Sequence, residues 1–370
     1  MFIKQYSASN LRGLKFFTLT PGKQINVLIG KNNDGKTTVL EGIYYCSCLK
    51  SFKSVSLDSL LMEGQKKLQI SLISSKIGEN YTISTEKSIS SANISKVNDK
   101  KVSVRTLMLT TPVIALTFGT ENTVTQSSEY RRGLLDWGAF HVEPSYLDVY
   151  KLFVKTLKQR NTLLKSTNKE SLDFWTEKLA EVGTRLEELR SNYFDLLFSE
   201  YLRYIDLIKS YDATTYSDIQ NSTIAYKKGW DDSISLSEAL AAAHTKDTAL
   251  KYTSAGPHRS DILFLNQTRD IKSISSMSTQ IIISLLFVLS QAEVFHVKHG
   301  FRPIILIDDL FFGIDDKNLK LVINLLIDSK SQCFISAPDL YKEKIKSLDR
   351  DDKEIRLYSF HNGVLKEEDK

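Results

Sequence analysis

Residues 30–37 have the types and spacing of a loop that surrounds phosphate groups. The segment reads Gly30-Lys31-Asn32-Asn33-Asp34-Gly35-Lys36-Thr37. In such a loop the backbone N–H groups and the following helix N-terminus face the phosphates, the lysine neutralises their oxygens, and the hydroxyl ligates magnesium. The sequence therefore predicts that this loop, extended by Thr38, binds ATP with Mg²⁺. Lys36 is the predicted catalytic lysine and Thr37 a predicted metal ligand.

Two neighbouring carboxylates near the C-terminus complete the predicted chemistry. The apolar run at residues 304–307 is followed directly by Asp308 and Asp309. Ligands of open α/β sheets lie at the carboxyl ends of the strands. We expect Asp308 to hold the magnesium through water, and Asp309 to orient or deprotonate the attacking water. The alternative is that the two residues only end a buried strand.

The elements that must position these groups form two separated halves of one sheet. Residues 24–29 are predicted as the strand that enters the loop, and residues 38–44 as the helix that leaves it. Near the C-terminus the predicted elements are a long apolar helix at 281–295, a strand at 304–307, a helix at 317–328 and a strand at 332–336. The two halves flank an insert, so the predicted fold class is α/β.

The segment between the two halves changes character along its length. Period-two runs over residues 66–120 predict a small antiparallel β section. Residues 145–210 predict two helices that fold back as a hairpin. In the second helix apolar residues recur at steps of three and four, as a short coiled coil requires: Leu172, Trp175, Leu179, Val182, Leu186, Leu189, Tyr193 and Leu196. A plain bundle core without supercoil is the alternative.

The predicted organisation has three parts. Residues 1–118 form the N-terminal half of an ATPase lobe with the phosphate loop, residues 119–250 a helical insert lobe, and residues 251–370 the C-terminal half. No apolar run reaches the roughly 20 residues that cross a bilayer, and residues 1–5 lack the features of a secretory signal. We therefore expect a cytoplasmic protein. A net charge of +5 permits a nucleic-acid partner without requiring one.

Three further stretches carry a resemblance to a known family. They are residues 129–141 (EYRRGLLDWGAFH), 157–161 (LKQRN) and 256–261 (GPHRSD), in this order. Together with the early phosphate loop, the helical insert and the late Asp-Asp strand, they resemble the RecF recombination mediator family over nearly the whole chain. The same layout is similar to ATPase heads of the structural-maintenance-of-chromosomes (SMC) and ABC type.

The resemblance implies a function in recombinational gap repair and replication restart. It implies an ATP-dependent DNA-binding protein that helps to load recombinase on gapped DNA after DNA damage, including in the SOS response. RecO and RecR proteins would be its partners, and junctions of single-stranded and double-stranded DNA its sequence-independent target. It further implies an ATP-dependent homodimer, in which the signature segment of one subunit, here with Ser276 and Ser278, contacts the nucleotide of the other.

This chain departs from the family pattern at several positions. Asn33 replaces a usual glycine, and asparagine tolerates the left-handed backbone better than other residues with a side chain. Ser278 replaces the signature glycine that lets a partner backbone approach the phosphate. Residues 311–314 replace most of a Ser-Glu-Leu-Asp run, of which Asp315 is kept. We therefore expect ATP to bind and hydrolysis to be slow, as in a weak DNA-stimulated ATPase.

Several basic residues are candidates for contacts with the DNA backbone: Lys50, Lys53, Arg131, Arg132, Lys158 and Arg160. Aromatic residues that would stack on single-stranded bases do not accompany them, so duplex contact without sequence reading is expected. His258 and Arg259 are either a switch near the nucleotide or a brace between lobes. Arg12 occupies a position where related heads often place an arginine that contacts phosphate, although a surface role is an equal alternative.

Other functions remain open on the sequence alone. The chain is alternatively an ATP-binding adaptor with little or no turnover that recruits repair partners. A phage-defence or overcoming-lysogenisation ATPase would normally carry a nuclease domain in addition. A small-molecule kinase shares the phosphate loop, but it would not explain the helical insert or the Gly-Pro-His-Arg stretch.

Overall fold

A computed structural model describes most of the chain. The described residues are 1–53, 56–89, 93–119, 121–166, 170–211, 216–349, 354–361 and 364–368. The chain divides into two compact units. Unit 1 comprises Met1–Asn122 and Phe295–Lys370, and unit 2 comprises Thr123–Val294.

The secondary-structure elements alternate between strands and helices in both units. Through residue 122 they are β1 (Phe2–Leu11), β2 (Leu14–Leu19), β3 (Ile25–Ile29), α1 (Lys36–Cys48), β4 (Lys67–Lys76), β5 (Glu79–Ser88), β6 (Ile94–Val97), β7 (Lys100–Lys101), α2 (Val104–Thr110) and β8 (Val113–Thr117). The middle of the chain contains α3 (Ser128–Val142), α4 (Tyr146–Lys165), α5 (Leu172–Tyr211), α6 (Ser217–Gln220), β9 (Ser222–Lys227), α7 (Leu236–Ala242), α8 (His244–Leu250), β10 (Asp261–Asn266), β11 (Arg269–Asp270), α9 (Ile271–Ile274) and α10 (Met277–His299). The remaining elements are β12 (Ile304–Asp308), α11 (Asp316–Asp328), β13 (Cys333–Ala337), α12 (Lys342–Lys346), β14 (Ile355–His361) and β15 (Val364–Glu367).

The sheet that carries the phosphate loop is six-stranded and mostly parallel. Its strand order is β15-β14-β3-β13-β12-β8, and only the β14–β15 pair is antiparallel. Every residue of β3, β12 and β13 is buried, as expected of central parallel strands that are covered on both faces. Because these strands are parallel, the loop after β3 and the carboxylates at the end of β12 lie at the same edge.

A second six-stranded sheet in unit 1 is antiparallel, with strand order β2-β1-β4-β5-β6-β7. It confirms the antiparallel section predicted for residues 66–120 as far as β7. The prediction is wrong for residues 104–117, which form α2 and then β8, a parallel neighbour of β12. A short apolar run does not reveal its pairing direction, which depends on the strand that it meets in the folded chain.

Helices α4 and α5 of unit 2 pack against each other, as predicted for the hairpin. The predicted apolar seam of α5 is buried at Leu179, Leu186 and Tyr193, but Leu196 is 49% exposed. Leu197 and Tyr201 continue the buried stripe instead. A straight helix has 3.6 residues per turn, so a stripe that starts with a 3.5-residue period drifts by one position over several turns.

Unit 2 also contains strands that the sequence analysis missed. Strands β11, β10 and β9 form a three-stranded antiparallel sheet in that order. The lobe predicted to be helical over residues 119–250 therefore includes β9, and the predicted boundary at 250 falls inside unit 2.

Helix α10 is the one helix, among the described residues, that is long and apolar enough to cross a membrane. Of its most apolar window, 83% is buried inside the protein. That burial is typical of a core helix in a soluble protein.

The three stretches that carry the family resemblance meet in unit 2. The Arg131 guanidinium forms a bidentate ion pair with Asp261, with N–O distances of 2.8 and 2.7 Å. Arg132 donates a hydrogen bond of 2.7 Å to the carbonyl of Ser260. Arg190 of α5 pairs with Asp136 and donates to the carbonyl of Pro257 at 2.7 Å. Buried guanidinium groups thus connect α3 and α5 to the Gly-Pro-His-Arg segment.

A second buried ion pair anchors the residues just before that segment. Arg160 and Asp247 are both fully buried, and their closest N–O distance is 2.7 Å. Arg160 also donates to the Thr253 hydroxyl at 2.8 Å, and Asp247 accepts from both the backbone and the hydroxyl of Ser254. Asn161 accepts from the backbone N–H of Thr253 at 2.8 Å. The chain at residues 253 and 254 is therefore held by α4 and α8.

Replacing Arg160 with alanine should destabilise unit 2 strongly, because it leaves the Asp247 carboxylate buried without its cation. The expected loss is about 3–5 kcal/mol in the free energy of unfolding. All three tryptophans, Trp137, Trp175 and Trp230, lie in unit 2, so their fluorescence during urea unfolding measures this unit.

The matched control is Lys158→Ala, an exposed position on the same helix, which should change the free energy of unfolding by less than about 0.5 kcal/mol. Equal stability of the two variants would contradict an anchoring function for the buried pair.

Candidate functional site

The phosphate loop leaves β3 and enters α1 through a left-handed backbone. Asn33 has a φ of 74° and Gly35 a φ of 102°, a region that asparagine and glycine adopt more readily than other residues. The Asp34 carboxylate accepts a hydrogen bond of 2.6 Å from the backbone N–H of Lys31. Asparagine at position 33 is therefore compatible with the loop conformation, although a glycine is usual in the family pattern.

Lys36 begins α1 and is directed back across the loop. Its ammonium group donates to the carbonyls of Gly30 and Lys31 at 2.8 and 2.6 Å. Only 8% of the residue is exposed. Two carbonyl acceptors leave the third N–H of the ammonium group for another acceptor, such as a phosphate oxygen.

The Asp308 carboxylate joins the end of β12 to two other segments. One of its oxygens accepts from the Thr37 hydroxyl at 2.9 Å and from the Ser336 hydroxyl at 2.6 Å. Burial raises the pKa of Asp308, and the hydrogen bonds from Ser336 and Thr37 lower it in part. Ser336, at the end of β13, was not identified from the sequence, because a lone serine after an apolar run has no distinctive signal.

Asp309 differs from its neighbour in exposure and conformation. Its φ is 56°, in the left-handed region, and its backbone N–H donates to the Ser336 hydroxyl at 2.8 Å. Its side chain is exposed, whereas Asp308 is only 5% exposed. The two adjacent carboxylates therefore have different surroundings, as their two predicted roles require.

A cavity of about 820 Å³ lies over the loop, and its lining belongs to unit 1. Of the predicted site residues, Asn32, Asn33, Asp34, Gly35, Lys36, Thr37, Thr38 and Asp309 line it. Gly30, Lys31 and Asp308 do not, and they contribute instead through their bonds to Lys36 and Thr37. Lining residues that the sequence analysis did not assign to the nucleotide site include Glu41, Lys53, Ser59 and Phe360.

Arg12 also lines this cavity. It has a φ of 49°, and its backbone N–H donates to the carbonyl of Leu60 at 2.8 Å. Its guanidinium forms an ion pair of 2.7 Å with Glu41, which is fully buried and also accepts from Ser51. The Arg12 side chain remains 27% exposed. Its position beside the loop favours the phosphate-contacting role over the surface role.

The Thr37 hydroxyl and the Asp308 carboxylate are suited to magnesium. Both are oxygen donors, and their oxygens are 2.9 Å apart beside the loop. Magnesium takes few protein ligands and completes its octahedron with water and phosphate oxygens. The described residues contain no group of three or more His, Cys, Asp and Glu side chains that would hold a metal by themselves.

The predicted signature residues belong to unit 2 and do not line the cavity. Ser276 precedes α10, and its hydroxyl accepts from the backbone N–H of Thr279 at 3.2 Å, as in an N-cap. Ser278 lies in the first turn of α10 and is 8% exposed. The Ser276 hydroxyl therefore already has a structural function within its own helix.

The structure corrects two of the candidate DNA contacts. Arg131 and Arg160 are held in ion pairs with Asp261 and Asp247, and Arg160 is fully buried. These two guanidinium groups are paired within unit 2 and are not available for phosphates. Arg132 is half-buried and donates one hydrogen bond to a carbonyl, so it remains a candidate. Lys50, Lys53 and Lys158 are exposed and remain candidates.

His258 and Arg259 both contact the carbonyl of Thr253 and differ in burial. The His258 ring donates from Nε2 to the carbonyl of Thr253 at 2.9 Å, and burial lowers the pKa of His258 to about 4. The ring is therefore neutral at physiological pH, as a structural brace. Arg259 is exposed, and its guanidinium lies 5.2 Å from the centre of the Tyr252 ring.

Comparisons with known proteins agree with this fold. The family model for the AAA ATPase domain matches residues 1–235. The DNA replication and repair protein RecF of Nitrosococcus oceani is 29% identical over 352 residues, which cover 94% of this chain and 95% of the relative. A solved structure of the recombination mediator protein RecF with ATP has a TM-score of 0.78 at 23% identity, and 99% of each chain is covered. The Smc head domain from Pyrococcus furiosus has a TM-score of 0.57 at 13% identity, covering 99% of this chain and 96% of that one.

The parallel sheet, the phosphate loop and the Thr37–Asp308 contact define an α/β P-loop ATPase head of the ABC/SMC type, which confirms the predicted fold class. The chain belongs to the AAA ATPase domain family, and it is similar to RecF proteins over nearly its whole length.

Replacing Ser336 with alanine should make magnesium-dependent ATP binding more sensitive to acid. A cation requires the ionised Asp308 carboxylate, and burial already raises the pKa of that group. Without the Ser336 hydrogen bond the pKa of Asp308 should rise further, so binding should be lost at a higher pH than in the wild type. Calorimetric titration with Mg-ATP over a pH series measures this midpoint.

Ser331→Ala is the matched control. This buried serine precedes β13, and its hydroxyl has no hydrogen-bond partner among the described residues. The control should keep the wild-type pH midpoint of Mg-ATP binding. An unchanged midpoint in Ser336→Ala would show that Ser336 does not tune Asp308.

Proposed function

We propose that this protein is an ATP-dependent DNA-binding protein of recombinational gap repair and replication restart. In this function ATP gates a homodimer that helps to load recombinase on gapped DNA, and hydrolysis is slow. The observation that carries the proposal is the contact of Thr37 with Asp308, because it joins the phosphate loop to the carboxylate pair in one site. The names of the relatives, a DNA replication and repair protein and a recombination mediator of the RecFOR pathway, support the biological setting.

Different residues in and beside the cavity serve nucleotide binding and hydrolysis. Bound ATP with Mg²⁺ supplies the phosphoryl group that is transferred to water. Lys36 neutralises the phosphate oxygens, and Thr37 and Asp308 hold the metal. Asp309, exposed in the cavity wall, orients or deprotonates the water. The backbone N–H groups of residues 32–35 and the N-terminus of α1 face the phosphates.

Support for the proposed dimerisation comes from the residues that line the cavity. The cavity lining comes from unit 1, whereas Ser276 and Ser278 lie at the start of α10 in unit 2. We propose that a second copy of the chain supplies this segment to the nucleotide. Serine at position 278 lacks the backbone freedom of glycine, so we expect the partner segment to approach the phosphate less closely and hydrolysis to be slow.

Contacts with DNA are proposed for the exposed lysines near the cavity. Lys53 lines the cavity itself, and Lys50 is exposed three residues earlier. Neutralising phosphates with such residues is independent of sequence and sensitive to salt. Because Lys53 faces the nucleotide site, ATP binding and DNA binding are coupled locally. RecR and RecO proteins are the proposed partners at the gap.

A second candidate function is an ATP-binding adaptor with little or no turnover. The N-cap bond of Ser276 favours it, since a hydroxyl that already caps α10 is a poorer ligand for a partner's phosphate. In that case ATP would bind, and the protein would recruit repair partners without hydrolysing the ATP. DNA-stimulated turnover by the purified protein would rule this candidate out.

Lys36→Arg should abolish ATP-driven dimerisation and ATP-stimulated DNA binding together. The larger guanidinium does not fit the buried position between the carbonyls of Gly30 and Lys31. Losing charge-assisted bonds to phosphate costs about 1.5–3 kcal/mol, or roughly ten- to hundredfold in ATP affinity. Mass measurement in solution with ATP, and binding to gapped duplex DNA, report the two effects.

Lys15→Arg, at an exposed position on β2, is the control and should behave as the wild type. ATP-stimulated DNA binding that persists in Lys36→Arg would contradict gating by this loop.

Asp309→Asn should keep ATP binding and lower hydrolysis by roughly a hundredfold or more, as expected for loss of a general base. The ATP-bound dimer should consequently last longer, which can be followed by dissociation after dilution. Asp328→Asn, exposed at the end of α11, is the matched control. If neither turnover nor dimer lifetime changes in Asp309→Asn, Asp309 does not act on the water.

A further inference from the structure

Unit 2 has a cavity of its own, of about 580 Å³, that is shallow and open to solvent. Its lining combines two aromatic residues, Trp230 and Tyr252, with three basic ones, Lys227, Lys246 and Arg259. These residues come from the end of β9, the turn after it, α8 and the segment that follows α8. Neither the nucleotide site nor the duplex contacts proposed above use this cavity.

The basic residues of this cavity are free to bind an anion. Among the described residues, none of Lys227, Lys246 and Arg259 forms an ion pair with a carboxylate, and all three are exposed. The lining contains one carboxylate, that of Asp231, which accepts hydrogen bonds from the backbone and hydroxyl of Ser233. Three cations against one carboxylate give the cavity a net positive charge.

The aromatic rings are held in place and remain partly accessible. Trp230 donates from Nε1 to the carbonyl of Ile234 at 3.2 Å, which fixes the plane of its ring. Tyr252 is 40% exposed, and the Arg259 guanidinium lies over one of its faces. Aromatic faces and guanidinium planes are the groups on which unpaired bases stack.

The two segments that carry these residues are joined through their backbones. The N–H of Gly256 donates to the carbonyl of Gly229 at 3.3 Å. Gly229 has a φ of 97°, and a Cβ atom there would lie 2.4 Å from the carbonyl oxygen of Gly256, so glycine is required. On the other side, Thr253 and Ser254 are held by the buried Arg160–Asp247 network. The protein thus builds a rigid support for Trp230, Tyr252 and Arg259.

We propose that this cavity binds a single strand of DNA, with an unpaired base stacked against Trp230 or Tyr252 and backbone phosphates bound by Lys227, Lys246 and Arg259. An open cavity with cations on several segments suits a strand that enters and leaves, whereas a free nucleotide would need an enclosed site. The proposal rests on the proposed function only in taking DNA as the ligand. It places the single-stranded part of the target on unit 2.

The test is binding of a labelled oligothymidylate of about ten nucleotides to the full-length protein without ATP, over a series of salt concentrations. Trp230→Leu should lower the affinity about fivefold or more, because base stacking is lost. In Lys246→Ala and Arg259→Ala the slope of log affinity against log salt should fall by roughly 0.7 for each lost phosphate contact. Lys151→Ala, exposed on α4, is the control and should keep the wild-type affinity and slope.

Two outcomes would overturn the proposal: wild-type affinity in both Trp230→Leu and Arg259→Ala, or displacement of the oligonucleotide by an equal concentration of thymidine monophosphate. An unchanged midpoint of urea unfolding, followed by circular dichroism, checks that each variant is folded. Because the assay contains no ATP, it is independent of gating by the phosphate loop. Loss of gating in Lys36→Arg with retained oligonucleotide binding would separate the two proposals.

Discussion

The carboxylate of Asp308 is the point on which the nucleotide site depends. It accepts hydrogen bonds from Thr37 at the start of α1 and from Ser336 at the end of β13, so three segments distant in sequence meet at one oxygen atom. Ser336 in turn accepts from the backbone of Asp309. A small displacement of any of these strands would separate the metal-binding oxygens from the water-activating carboxylate. The parallel register of β3, β13 and β12 prevents it.

Unit 2 depends on a different constraint, the burial of guanidinium groups. A buried charge is tolerated only when it is paired and hydrogen-bonded. Arg131, Arg160 and Arg190 each have a carboxylate partner, and between them they bond to the segment from Thr253 to Asp261. Within that segment Arg259 stays exposed, and its guanidinium donates to the carbonyl of Thr253 at 3.5 Å. Arginines of two of the stretches that resemble the family thus hold the third stretch and the residues just before it in place.

Sequence patterns predicted the type and position of individual elements better than they predicted which elements lie next to one another in the fold. The phosphate loop, α1, α5, α10, β12 and β13 lie where residue spacing places them, because loop chemistry and apolar periodicity are local properties. The wrong predictions concern which elements or residues contact one another. Residues 113–117 join the parallel sheet, β9 belongs to a lobe predicted to be helical, and Arg160 is a buried structural residue. Each of these outcomes depends on a contact with a residue far along the chain.

By itself the sequence determined the class of chemistry, since only a glycine-rich turn followed by lysine and threonine surrounds phosphates in this way. It also determined that two halves of one α/β sheet flank an insert, because the period of the apolar residues distinguishes helices from strands. The tertiary structure alone decided which polar residues act together. Ser336 reaches Asp308, and Trp230 comes close to Arg259, because strand pairing and backbone hydrogen bonds bring them there. Whether a basic residue is buried in an ion pair or exposed to solvent is likewise decided by packing, which one-dimensional spacing does not contain.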